Sequence, residues 1–155
     1  RSKIDGMNRR PAPDLDLVQR LRSAGLQPTR QRLAVAAVMF AQPVHLTAEQ
    51  VVKTLHGGAP TVADVDATPI SRATVYATLA QLAEAGLPRG LHTGTGAVVY
   101  DSNPTLHPHW VDVDTGQVHD LPPGVRLQVS GIDTLPAGLQ VQDVQLMLRV
   151  KTSAA

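Results

Sequence analysis

Apolar side chains recur every three or four residues through the first half of the chain and every second residue through much of the second half. Leu15, Val18 and Leu21 share a helical stripe, Asp14 and Asp16 suit its start, and Gly25 suits its end. A first helix is therefore expected over 14–24. Thr29 caps a second over 30–40, with a predicted stripe of Leu33, Ala34, Ala37 and Val38. Thr47 caps a third over 49–55, in which Val51, Val52 and Leu55 are apolar. Residues 56–69 are rich in Gly, Pro, Ala and Asp and read as a loop. Ser71 then caps a fourth helix over 72–85, with Val75, Leu79, Leu82 and Ala83 inward and Gly86 as its stop. Two short strands, 87–92 and 97–101, flank the turn Thr93-Gly94-Thr95-Gly96. Helices followed by a two-stranded wing predict a winged helix-turn-helix, whose fourth helix is offered to the DNA major groove.

Past Asp101 the period changes. Segments 109–114 and 117–121 alternate around Thr115-Gly116 and predict a hairpin. Residues 124–135 read as a weak, Gly-interrupted helix, and 139–150 as a strand with Val144, Leu146, Leu148 and Val150 on one face. Such a strand is long enough to pair with another copy. The fold class expected is α+β, a winged-helix domain over 14–98, a hinge at 99–104 and a small α/β dimerisation domain over 105–155. Residues 1–13 read as an unstructured N-terminus. Met7 reads as the natural start, with 1–6 left over from expression.

Composition narrows the chemistry. With 155 residues and 43% hydrophobic content the chain can bury a real core, but 3% aromatics make that core aliphatic. No apolar run spans a bilayer and no signal-peptide core is evident, so a cytoplasmic location without membrane partners is expected. Cysteine is absent, which excludes disulfides, thiol catalysis and thiolate metal sites. Residues 1–89 carry eleven Lys+Arg against seven Asp+Glu, or +4; residues 90–155 carry three against six, or −3; together they give the chain's +1. A basic first half suits a polyanion and an acidic second half suits a cation.

Three of the six histidines fall between Asp101 and Asp120. In an extended segment His107 and His109 point to one side, and flanking carboxylates complete a mixed nitrogen and oxygen donor set. Iron(II), manganese(II) and zinc(II) accept such a set. On its own, a His-x-His is more often a solvated hairpin than a ligand pair. His119 should point away from Asp120; His92 is either near phosphate or simply exposed, and His56 is expected in solvent. Tyr76 lies about 100° from Val75 around its helix. It is therefore placed for base edges or thymine methyls rather than the core. Ser71, Arg72 and Thr74 are candidates for phosphate or base contacts. Arg22, Arg30 and Arg32 suit the DNA backbone or minor groove, or a solvated basic face.

The segments Gly25-Leu26-Gln27-Pro28-Thr29-Arg30-Gln31-Arg32, His45-Leu46-Thr47-Ala48-Glu49-Gln50-Val51 and Ser71-Arg72-Ala73-Thr74-Val75-Tyr76 resemble the ferric uptake regulator family. Val99-Tyr100-Asp101, His107-Pro108-His109 and Gly116-Gln117-Val118 extend the resemblance in order and spacing over about 14–121. It implies a non-enzymatic, dimeric repressor of double-stranded operator DNA with one regulatory divalent metal per subunit. Iron(II) or manganese(II) is the expected ion, with zinc(II) able to substitute in vitro. The implied ligands are His45, Asp101, His107, His109 and Asp120. Aspartate at position 120, where iron-uptake repressors carry glutamate, resembles the peroxide-responsive branch. That branch is released from DNA when iron and peroxide oxidise a ligand histidine.

The chain also departs from the family. Asp112 and Thr115 stand where members carry the first Cys-x-x-Cys pair, so no cysteine-bound structural zinc is expected. Leu106 and Pro108 stand at an auxiliary metal site, and Ala77 follows Tyr76 where an arginine is usual. The readings set against the peroxide sensor are an iron or manganese homeostasis regulator, a small His/Asp metallohydrolase, and a metal-free interaction module. The hydrolase would need an open coordination position and a general base, and no spare glutamate lies near.

Overall fold

The computed structural model describes residues 15–57 and 68–153. The expected unstructured N-terminus and most of the expected 56–69 loop lie outside the described residues. Four helices, α1 (Leu15–Ser23), α2 (Arg30–Phe40), α3 (Ala48–His56) and α4 (Arg72–Glu84), form the first half. Each of the last three starts on a hydroxyl: Thr29 accepts from the Arg32 amide, Ser71 from that of Thr74, and Thr47 completes a capping box with Gln50. Gly86, at φ +76°, ends α4 and lets Leu87 turn back into the core.

The helices close around Leu21, Val35, Met39, Val51, Val75, Leu79 and Leu82, all at most 1% exposed. The buried face of α2 centres on Val35, Ala36 and Met39 rather than on the expected Leu33, Ala37 and Val38. The cause is that α1, α3 and α4 all pack on this helix, so burial nearly encircles it and the periodic signal fades.

Strands β2 (Arg89–His92) and β3 (Val98–Asp101) form the predicted wing hairpin. Sequence reasoning missed β1 (His45–Thr47), which pairs with β3 and places His45 opposite Asp101. Three residues are too few to display alternation, and the adjoining cap hid them. Residues 99–101 are thus strand, bonded on both sides, and the loop begins at Ser102.

A second sheet has the order β5-β4-β6, from β4 (His109–Asp112), β5 (Val118–Asp120) and β6 (Met147–Val150). The expected helix over 124–135 is not formed; the segment holds one 3-10 turn, Ile132–Thr134. Gly124, Gly131 and Pro136 interrupt any helical run. The last strand is also shorter than its alternation suggested, and Leu148, expected with the inward row, is exposed. Met147 takes the inward place, opposite His109 in the parallel β4–β6 pair.

The two sheets face each other. Leu91, Val99, Val111 and Val118, with Met147 against them, form a small second core containing one residue from each of β2 to β6. Leu46 and Tyr100, also on the wing sheet, pack instead against the helical core. The wing sheet is therefore a middle layer, with helices on one face and the C-terminal sheet on the other.

Candidate metal centre

Four strands and one loop bring the implied ligands together. His45 comes from β1, Asp101 from the end of β3, His107 from the loop after it, His109 from the start of β4 and Asp120 from the end of β5. One ligand atom from each lies within 4.8 Å of every other. Pairing places His45 beside Asp101 and His109 beside Asp120, so two ladder registers set the cluster across the interface. The Asp101 Oδ2 atom lies 2.9 Å from His109 Nε2, 3.1 Å from His107 Nε2 and 3.5 Å from His45 Nε2. The Asp120 Oδ1 atom lies 2.9 Å from His107, 3.0 Å from His45 and 3.3 Å from His109, again at Nε2.

These distances describe a donor set rather than a closed hydrogen-bond network. His107 Nδ1 lies 2.8 Å from the Thr105 carbonyl, which can only accept, so that nitrogen carries the proton. Nε2, facing oxygens of both carboxylates, is then the nitrogen placed to bind an ion. His45 Nε2 is buried without a hydrogen-bond partner, although Asp120 is 3.0 Å away. A buried unsatisfied nitrogen aimed at carboxylates fits a divalent ion. The outer support is built as well: the Asn103 amide donates to Asp101 Oδ1 at 2.8 Å, leaving Oδ2 for the cluster. Sequence reasoning did not single out Asn103 or Thr105; Asp101-x-Asn103, an Asx-turn spacing, is the signal that pointed to the first.

Electrostatics agree. Burial pushes the Asp101 carboxyl up, but the hydrogen bond with His109, the neighbouring His45 imidazole and the hydrogen bond from the Asn103 amide hold it well below the carboxylate range. The Asp101 carboxylate, 3.5 Å from Nε2, raises His45 above its ordinary value and outweighs burial. His119 lies outside the cluster and stacks on Trp110, ring centroids 4.3 Å apart.

The other expected residues sit on the helical half. Tyr76 is 44% exposed and outside the core, its hydroxyl 3.4 Å from Glu49. Ser71, Arg72 and Thr74 open α4, and Arg72 forms an ion pair with Glu49. Arg22 is exposed on α1. Arg30 donates to the Thr68 carbonyl, and Arg32 to the Gln27 carbonyl and the Gln81 side chain. His56, expected in solvent, is exposed with Nε2 2.8 Å from the Ile70 carbonyl, and His92 is exposed at the end of the wing strand β2.

A unit of four helices and a wing layered on a small sheet, with a His/Asp cluster between them, defines a metal-responsive DNA-binding regulator. The profile of the ferric uptake regulator family matches residues 23–146, and the chain belongs to that family of transcription regulators. The ferric uptake regulator of Pseudomonas aeruginosa, solved with manganese, is 25% identical, with a TM-score of 0.61 over 89% of this chain and 98% of its own. That of Vibrio cholerae is 29% identical, also at 0.61, over 87% of this chain and 98% of its own. A zinc-bound manganese uptake regulator, 24% identical, shares the fold at 0.56 over 88% of this chain and 98% of its own. No curated protein matches the chain. No described helix is long and apolar enough to cross a membrane.

Proposed function

We propose that this protein is a dimeric, metal-dependent transcriptional repressor in which one divalent ion per subunit, iron(II) or manganese(II), is held by His45, Asp101, His107, His109 and Asp120. The convergence of these five side chains from both sheets carries the reading. His45 and Asp101 belong to the wing sheet and His109 and Asp120 to the C-terminal one, so one ion fixes the DNA-binding half (14–98) on the dimerisation half (105–155). A dimer so fixed can hold two α4 helices at half-site spacing. Tyr76 then reads bases, with Ser71, Arg72, Thr74, Arg22, Arg30 and Arg32 supplying phosphate or base contacts.

The signal we propose is hydrogen peroxide. Iron(II), when bound, supplies redox chemistry toward peroxide at the ligands themselves. The residues nearest are three histidines, and the chain has no cysteine to compete. Oxidation of one histidine removes a donor from the set and with it the ion's own tie between the halves. Asp120 is the most exposed of the five, its side chain 56% accessible, and leaves the cluster open on its side.

The test uses a duplex selected from a random pool by the manganese-loaded protein. Peroxide should release it from the iron(II) form and add one oxygen to a peptide containing His45, His107 or His109, while sparing the manganese(II) form. An iron form that keeps both its DNA and its unmodified histidines would reduce the reading to a plain iron or manganese regulator. A duplex bound equally without metal would remove the metal switch altogether.

A further inference from the structure

The interface between the sheets has a second polar edge where β2 meets residues 143–149; it starts at Arg89, the β2 partner of Asp101, and runs away from the His/Asp cluster to His92 and Thr93. The Arg89 guanidinium donates to Asp143 Oδ1 and to the Val144 carbonyl, both at 2.6 Å. The side-chain amide of Gln145 bonds the backbone of His92 in both directions. His92 N–H donates to Oε1 at 3.0 Å, and Nε2 donates to the His92 carbonyl at 2.7 Å. Arg149 Nη1 donates to the Thr93 carbonyl at 3.0 Å, at the start of the wing turn.

Strand β2 is an outer strand, and a row of unpaired backbone groups on such an edge is a liability. Gln145 gives one residue of β2 what a further strand would give. The wing turn is shaped for Arg149: a Cβ on Gly94 would lie 2.2 Å from its Nη1, and Gly94 takes φ +74°. None of these contacts uses a metal ligand. The amide pair is neutral, and the arginines stay charged at any working pH.

We infer that Arg89, Gln145 and Arg149 form a metal-independent tie that positions the wing on the C-terminal sheet, Gln145 and Arg149 being its positioning residues. Removal of the ion frees the cluster edge of the interface while the β2 edge stays joined. The wing thus keeps its place in the metal-free protein, and the ion governs the opposite edge alone. Only the consequence for DNA affinity rests on the DNA-binding reading above.

Hydrogen exchange on the full chain, metal-free and with manganese(II), tests the tie directly. The His92 amide should be protected in both states, and Gln145→Ala should speed its exchange about tenfold in both, the scale of losing a two-bond amide pair. Arg149→Met, which keeps the aliphatic stem, should speed exchange across 93–96 and serves if Gln145→Ala does not fold. Protection that appears only with manganese, or that is unchanged in both variants, overturns the inference. With the pool-selected duplex, both variants should bind about tenfold more weakly at unchanged manganese affinity; unaltered duplex binding removes the positioning role. A wild type that binds no duplex defeats the DNA reading, while the exchange result still decides the tie.

Discussion

The helical core and the interface between the sheets are built on different scales. Among the described residues, ten buried side chains, including Leu21, Met39, Leu79 and Leu82, close the first, and a ring of half-buried hydrophobics packs around them. Four buried residues and Met147 close the second, and the rest of that interface is polar. At about 25 cal/mol per Å² of apolar surface buried, the helical body gains far more than the interface does. The proposed metal site lies in the less apolar of these two regions. A switch needs two arrangements of similar free energy, and a few kcal/mol from an ion can choose between them only where packing has not already chosen.

Substitutions in the two regions should therefore separate stability from response. Leu79→Ala, at a fully buried helical position, should lower the unfolding free energy by about 3 kcal/mol with or without metal, read by urea titration. Its manganese response should survive. In the interface, manganese(II) at about a hundred times its dissociation constant should add about 2.7 kcal/mol to wild-type stability. Asp101→Ala should abolish that increment and leave a folded protein. An undiminished increment would place the ion elsewhere. Met147→Ala, half-buried in the smaller core, should cost about 2 kcal/mol, the lower end for such a truncation.

The pH dependence gives a subtler contrast. His45 has a raised folded value, so its contribution is complete below its ordinary value and fades as pH rises through the raised one. Asp101 is depressed, so its contribution is present above the carboxylate range and fades only in strong acid. The metal-free interface should therefore be firmer near about pH 6 than near about pH 8, whereas manganese affinity rises over the same interval as the proton leaves His45. Metal-free and loaded unfolding curves at the two values should show the gap widening with pH; a narrowing gap would mean that His45 is not a proton-competing ligand. The smallest contrast is on α4: Tyr76→Ala should reduce discrimination between selected and random duplex more than it reduces random-duplex binding. Equal losses would mean that Tyr76 does not read bases.

Much of this division was legible in the sequence, and unevenly. The helices declared themselves because Thr29, Thr47 and Ser71 are strong caps and Gly86 a strong stop. The five members of the cluster came from a resemblance, while the His-x-His alone left the solvated hairpin ahead. What composition could not show was β1, too short for periodicity, although it is the strand that carries His45 to Asp101. The last third misled for the opposite reason. Alternation over 139–150 runs on through residues that form no strand before Met147, and tertiary pairing with β4 chose Met147 rather than Leu148 for the inward face. The contacts of Gln145 and Arg149 with the wing had no sequence signal, since each joins residues more than fifty positions apart.

Manganese(II) uptake is the most direct measurement of the account, followed by calorimetry and by the loss of the free-ion paramagnetic signal. The wild type should take up one ion per subunit. His107→Ala and His109→Ala should take up none at the same concentrations. Asp112→Asn, altering a carboxylate engaged in its own turn, should behave as wild type. Binding by His107→Ala and His109→Ala as tight as wild type would contradict the central claim that these side chains hold the regulatory ion.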